Sequence, residues 1–158
     1  MKTTLRPFII TILLFLSFII YAQKDENYVV VNMNTKFILE LETIDSLHYQ
    51  FKLKSQKPFN KKIKWDKPTK YLDGDLKNNQ IQGVLGKGKF GDKINTILMI
   101  KNGHDNTLSY KIKIKLPYKS EPISTSVIDL FPHVLATELW PYEIEYIIFL
   151  EFTKVDDY

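Results

Sequence analysis

Residues 108–116 read LSYKIKIKL, and this stretch decides the fold class. Apolar and polar side chains alternate at every position, as they do in a strand with one face in a core and the other in water. The inward set is Leu108, Tyr110, Ile112, Ile114 and Leu116. The outward set is mostly lysine, which commonly keeps a sheet edge from pairing with other chains; an anion-binding surface is the alternative.

Two more stretches predict strands with different surroundings. Residues 46–54 alternate like the first stretch, with Leu47, Tyr49, Phe51 and Leu53 inward. Residues 94–101 contain an apolar run at 97–100 without polar alternation, which is typical of a central strand buried on both faces. The remaining predicted strands cover residues 28–33, 36–43, 61–65, 123–130 and 144–152.

The connections between these strands are short. Turn-forming residues predict one hairpin between strands 28–33 and 36–43, and another across residues 102–106. In the last strand, Tyr146, Ile148, Leu150 and Phe152 are expected on one face.

Residues 131–141 fit either a short helix beginning at Pro132 or an irregular crossing. Eight or nine strands without a long helical segment predict an all-β, immunoglobulin-like antiparallel β-sandwich, with a barrel as the alternative.

The N-terminus has the three parts of a secretory signal peptide. Lys2 and Arg6 precede an apolar run over residues 8–20, and Ala22 is a small residue suited to cleavage. The run is shorter than the roughly 20 residues of a membrane-spanning helix. We therefore expect a signal peptide at 1–22, one β domain at 23–158 and no membrane anchor after cleavage. Because Ile20 occupies a position that is usually small, an uncleaved anchor is the alternative.

Composition narrows the compartment and the partners. The chain has no cysteine, which excludes disulfides, thiolate metal sites and a lipid-bearing N-terminal cysteine, so we expect a free periplasmic or extracellular protein. Of 22 basic residues, Lys2 and Arg6 fall in the signal peptide, which leaves 20 against 18 acidic residues and a charge of +2. The mature part contains no arginine, the residue that grips phosphates and guanine edges. Nucleic-acid binding is therefore not expected.

No motif identifies a reaction. Residues 86–91 match the G-x-G-x-x-G pattern and resemble the glycine-rich loop of protein kinases, but the other kinase motifs are absent, and we expect a plain loop between strands. Residues 73–78 carry too few oxygen ligands for a calcium loop. The three histidines lack metal-site spacing, and no serine lies in a nucleophile motif. We therefore predict no catalytic residue, no metal and no cofactor.

The candidate ligand or partner surface is aromatic. Trp65, Tyr71, Trp140 and Tyr142 stand at predicted strand ends or in loops, where exposed rings stack on sugars or anchor partners. The alternative is that one or both tryptophans fill the core.

The stretch at 138–144, ELWPYEI, leads into an apolar strand, and the signal peptide ends in Tyr21-Ala22-Gln23. Together they resemble small, uncharacterised exported β-sandwich proteins of Bacteroidetes-type bacteria. The resemblance implies a location in the cell envelope and no particular chemistry.

The predicted function is accordingly that of an exported, non-catalytic protein that binds another protein or an envelope component. The alternative is a glycan-binding module, which requires that Trp65, Trp140 and Tyr142 be exposed and roughly coplanar.

Overall fold

The computed structural model describes residues 27–64, 67, 70–72, 74 and 76–155. The predicted signal peptide lies outside the described residues. The described part contains strands and no α-helix, so the all-β prediction is confirmed. It therefore holds no helix long and apolar enough to cross a membrane. The strands are β1 (Val29–Asn32), β2 (Thr35–Thr43), β3 (His48–Pro58), β4 (Ile63–Lys64), β5 (Gln80–Phe90), β6 (Lys93–Asn102), β7 (Leu108–Lys115), β8 (Ile123–Thr125), β9 (Leu135–Trp140) and β10 (Tyr146–Lys154).

All ten strands belong to one sheet. Its main order is β8-β7-β10-β3-β2-β5-β6-β9, with β1 paired to β10 and the short β4 parallel to the end of β5. The sheet curls until its two end strands approach each other. The Trp140 indole of β9 donates a hydrogen bond to the Thr125 hydroxyl of β8 over 3.3 Å. Nearby, the Ile128 amide donates to the Glu138 carboxylate over 2.8 Å.

The inner face of the curled sheet encloses the main core. The alternation predicted for residues 108–116 is confirmed, because the five inward apolar side chains from Leu108 to Leu116 are all buried. Aromatic rings fill the middle: Tyr110 stacks on Phe149 and Phe152, with ring centroids 6.1 and 5.8 Å apart. Since each large aromatic side chain buries a large apolar area, this cluster contributes to the stability of the fold.

A second, smaller core lies on the outer face of β5, β6 and β9. We call Phe59, Ile63, Tyr71 and Leu72 the cover segment, because they pack over Val84, Ile97 and Met99. The prediction that β6 is buried on both faces is therefore confirmed: Leu98 and Ile100 point into the main core, while Ile97 and Met99 lie beneath the cover segment.

Both predicted hairpins are wrong. β1 pairs with β10 rather than with β2, and β6 pairs with β5 and β9 rather than with β7. Residues 102–106 instead connect β6, next to one edge strand of the curled sheet, to β7, next to the other edge strand. The buried His104 ring lies in this connection and packs against Tyr49. A turn signal fixes the local bend, whereas the pairing partner depends on which distant strand buries the same face.

Residues 131–141 form neither of the two structures considered for them. Leu135–Trp140 is strand β9, which hydrogen-bonds along β6 from Lys101 to Thr96. Pairing with the edge of β6 satisfies backbone groups that a two-turn helix would leave free at both ends. The predicted strand at 123–130 shortens to β8 and a single bridge between Leu130 and Leu108.

Some side chains do not lie on their predicted faces. Leu47 and Leu53, predicted to point inward, are each 38% exposed, although Leu53 stands in register opposite the buried Leu39. The register of β10 against β7 slips between Phe149 and Glu151. As a result Phe152 points into the core, whereas Tyr146, Ile148 and Leu150 do not, and the prediction that all four share a face is wrong.

Candidate functional site

Two of the four predicted surface aromatics are buried. Trp140 is 5% exposed within the main core, and its only polar group is bonded to Thr125. Tyr71 is 8% exposed in the cover segment, where its hydroxyl accepts the Lys64 amide hydrogen and donates to the Lys62 carbonyl. Neither ring offers a free face to a sugar or a partner, so the core alternative holds for Trp140.

The other two predicted aromatics contribute less. Tyr142 is half-buried against the main core, and its carbonyl accepts a hydrogen bond from the Thr96 hydroxyl over 2.7 Å. Trp65 lies outside the described residues. The structure therefore does not bring the predicted aromatic set together into one exposed platform.

Two glycines of the glycine-rich motif allow close packing between β5 and its neighbours. Gly86 and Gly88 lie inside β5, so the loop prediction is wrong for them, and only Gly91 stands in the turn, with a φ of 61°. A Cβ at Gly88 would lie 2.3 Å from the Ile97 side chain and 2.6 Å from the Ile63 carbonyl oxygen. Glycine is needed there because the cover segment passes directly over the strand.

The three histidines stay apart as potential ligands. His48 pairs with Asp45 in an exposed turn, and His133 pairs with Asp105 over 2.9 Å. Within the described ranges no three acidic, histidine or cysteine side chains are placed to hold a metal ion. The predicted calcium-like turn begins at Asp73, which is outside the described residues.

A polar cavity of about 460 Å³ opens at one end of the sheet, beside Tyr49, Asn78, His104 and Asp105. Its polar groups mostly bind one another: the Asp105 carboxylate bonds the His133 ring and the Asn78 amide, and these bonds hold its pKa below the usual range. Burial lowers the pKa of His104, so its ring is neutral near pH 7. His104 Nε2 has no hydrogen-bond partner in the described part of the chain. The hydrogen bonds of Asp105 thus anchor the connection between β6 and β7.

A second perturbed pair lies where the sheet edges meet. Burial raises the pKa of the half-buried Glu138 carboxyl, and burial followed by the nearby Glu138 charge raises the pKa of the Tyr110 hydroxyl. Glu138 nevertheless accepts the Ile128 amide, which fastens the chain after β8 to β9. This geometry identifies Glu138 as a latch between sheet edges, and neither residue lines either of the cavities described here.

An apolar surface lies on the outer face of β1 and β10. Tyr28, Val30, Tyr146, Ile148 and Leu150, which we call the outer strip, line an open groove of about 720 Å³ together with Pro122. Tyr28 is 57% exposed and Val30 is 36% exposed. The register places Val30 directly opposite Ile148. Adjacent apolar side chains left in water on one sheet face are typical of an interaction surface.

Of the three lysines of β7, Lys113 lines this groove, and it differs from the other two in its ion pairs. Lys111 pairs with Glu151 over 2.5 Å, and Lys115 pairs with Glu145 over 3.2 Å. Lys113, between them, stands opposite Ile148 instead of an acidic residue and forms no ion pair among the described residues. Because β7 lies between β10 and β8, the prediction that these lysines protect an open edge is wrong.

One further charge borders the groove. Glu121, in the connection before β8, is exposed, lines the groove beside Pro122 and has no ion-pair partner within the described ranges. The outer strip is thus an apolar row flanked by one free cation and one free anion.

Sequence reasoning missed the outer strip although a signal was present. Residues 147–150 form a run of four apolar side chains, Ile147-Ile148-Phe149-Leu150, like the run at 97–100 that correctly predicted two buried faces. Assigning residues 144–152 to a strand with only one apolar face concealed the second one.

Comparisons with protein-family models, with curated proteins and with solved structures gave no match to this chain.

Proposed function

We propose that this chain is an exported, non-catalytic protein that acts by binding another protein through the outer strip. The observation that carries the proposal is the groove of about 720 Å³ lined by Tyr28, Val30, Tyr146, Ile148 and Leu150. Tyrosine and isoleucine side chains at the centre of an interface bury apolar area at a small cost in side-chain entropy, which makes such a row suited to protein contact.

Export rests on the sequence of the N-terminus and on the resemblance to exported envelope proteins. Export does not require a disulfide for this fold, because two apolar cores stabilise it without cysteine. Periplasmic or extracellular localisation follows from the same proposal.

For the fold itself we propose a sandwich-like arrangement of immunoglobulin type, in which the two halves of the curled sheet act as the two layers. It is supported by the contact between Phe37 of β2 and Phe149 of β10, whose ring centroids lie 5.6 Å apart although β3 stands between these strands in the sheet. The bonds from β9 to Thr125 and Ile128 support a barrel equally well.

Glycan binding is the weaker proposal. It depends on Trp65, Trp140 and Tyr142 being exposed and roughly coplanar, and the burial of Trp140 removes one of these three rings.

The test is site-specific photo-crosslinking in secreting cells. A photoreactive phenylalanine analogue at Tyr28 or at Ile148 should give a defined protein adduct that excess unmodified protein competes away. The matched control is Tyr118, which is 71% exposed and lies outside the groove. Equal adducts from Tyr118, or none from the two outer-strip positions, would refute the proposal. The mass of the secreted protein should place its N-terminus at or near Gln23, and retention of Met1 would refute export.

A further inference from the structure

The outer strip has a charge pattern that is complementary to itself. A surface that meets a copy of itself across a two-fold axis brings each residue i against residue j of the other copy, and j against i. Lys113 and Glu121 line the same groove, carry opposite charges and form no ion pair among the described residues. In a two-fold pair, Lys113 of each copy can therefore meet Glu121 of the other.

The neighbouring ion pairs strengthen this reasoning. On β7, the lysines two positions before and after Lys113 are each neutralised by a glutamate at or next to β10. The residue of β10 opposite Lys113 is Ile148, so the ladder of ion pairs is interrupted where the apolar row crosses it. The interruption leaves one cation, Lys113, without an internal partner at the flank of the apolar row.

We propose that the outer strip is the interface of a symmetric homodimer, with the apolar row of each copy packed against that of the other and two Lys113–Glu121 ion pairs beside it. This inference rests on the proposed function and names the partner as a second copy of the chain. The apolar row drives association, while the ion pairs select the orientation, because exposed ion pairs contribute little net free energy.

The size of the surface sets the expected strength. Five apolar side chains and a proline make a contact near the lower limit of specific interfaces, so we expect a dissociation constant of about 10 to 100 μM. Such a dimer forms at high local concentration and dissociates on dilution.

The experiment is sedimentation velocity of the purified protein over a concentration series, with a charge-swap set of variants. Lys113→Glu and Glu121→Lys should each weaken dimerisation about tenfold or more by placing like charges together. The double variant Lys113→Glu/Glu121→Lys should restore it to within about threefold, because the swap recreates both pairs. Ile148→Thr should also weaken dimerisation. Lys57→Glu is the control, since Lys57 is an exposed lysine outside the groove.

A protein that stays monomeric up to about 1 mM, or a dimer that the charge swap does not rescue, would overturn the homodimer. Neither result would affect position-specific crosslinking at Tyr28 to a different protein, which tests the proposed function separately. The converse result is that Tyr28 gives no adduct with a different protein while the dimer forms and responds to the charge swap. That result would refute binding to a different protein and support the homodimer.

Discussion

Strands β6 and β10 each contain four consecutive apolar residues, and the structure treats the two runs differently. In β6, residues 97–100 are fully buried because the cover segment packs over the outer face. In β10, Ile147 and Phe149 are fully buried, whereas Ile148 and Leu150 stay partly exposed and belong to neither apolar core. An apolar run thus predicts that a strand needs a second layer, but not that its own chain supplies that layer.

The largest effect should separate the inner face of the sheet from the uncovered outer one. Ile112→Lys places a charge among the buried rings of the main core and should cost about 4 kcal/mol or more. Lys113→Ile, one residue further, adds an apolar side chain to the outer strip and should change stability by about 0.5 kcal/mol or less. Urea denaturation of both variants gives the two values. Equal costs would show that β7 has no distinct inner and outer face.

An intermediate effect should separate the covered run from the uncovered one. Ile97→Thr and Ile148→Thr make the same chemical change, and threonine, like isoleucine, is a β-branched residue that suits a strand. Under the cover segment, the change leaves a void and an unsatisfied hydroxyl, at a cost of about 3 kcal/mol. On the outer strip the cost should be about 1 kcal/mol or less.

These free energies should be measured below the concentration at which the chain associates, because dimerisation would add apparent stability to the parent protein. If Ile148→Thr proved as destabilising as Ile97→Thr in the monomer, a layer of the chain itself would have to cover β10.

The smallest effect should come from a region that belongs to neither face. Burial lowers the folded-state pKa of His104 below its ordinary value of 6.5. The free energy of unfolding therefore keeps its full value above pH 6.5, where His104 is neutral in both states. It decreases as the pH falls through the folded-state pKa, because the unfolded chain takes up the proton first. His104→Phe keeps a ring against Tyr49 and should flatten this part of the pH profile.

Thermal unfolding from pH 7.5 to 5.5 measures the difference in stability between parent and variant. Since His104 lines the polar cavity and not the groove of the outer strip, the variant should dimerise like the parent. A change in dimerisation with an unchanged pH profile would contradict the assignment.

The extent of sequence prediction follows from how local each signal is. The alternation in β7 and the two-sided burial of β6 were predictable because each pattern lies within one strand. The hairpins failed because pairing is decided by contacts between distant strands, such as β1 with β10. The face of Phe152 failed because one bulged residue reverses the alternation that follows it.

The candidate site was less predictable than the fold. Rings near Pro141 look like a surface, yet Trp140 closes the gap between sheet edges by bonding Thr125, a contact that depends on the curl of the whole sheet. The free charge on Lys113 is also invisible in the sequence, where three evenly spaced lysines look alike. Only the register of β7 against β10 shows which of them lacks a glutamate.

The central position of β10 has a consequence for how the chain folds. β10 lies between β7 on one side and β1 and β3 on the other, so the last strand of the described residues joins elements made much earlier. Val29 pairs with Phe149, which is synthesised 120 positions later. In contrast, β2, β3, β5 and β6 can pair soon after they emerge. High contact order of this kind slows folding and leaves unpaired strands exposed. We therefore expect a chain truncated before Tyr146 to remain a partly folded, aggregation-prone intermediate.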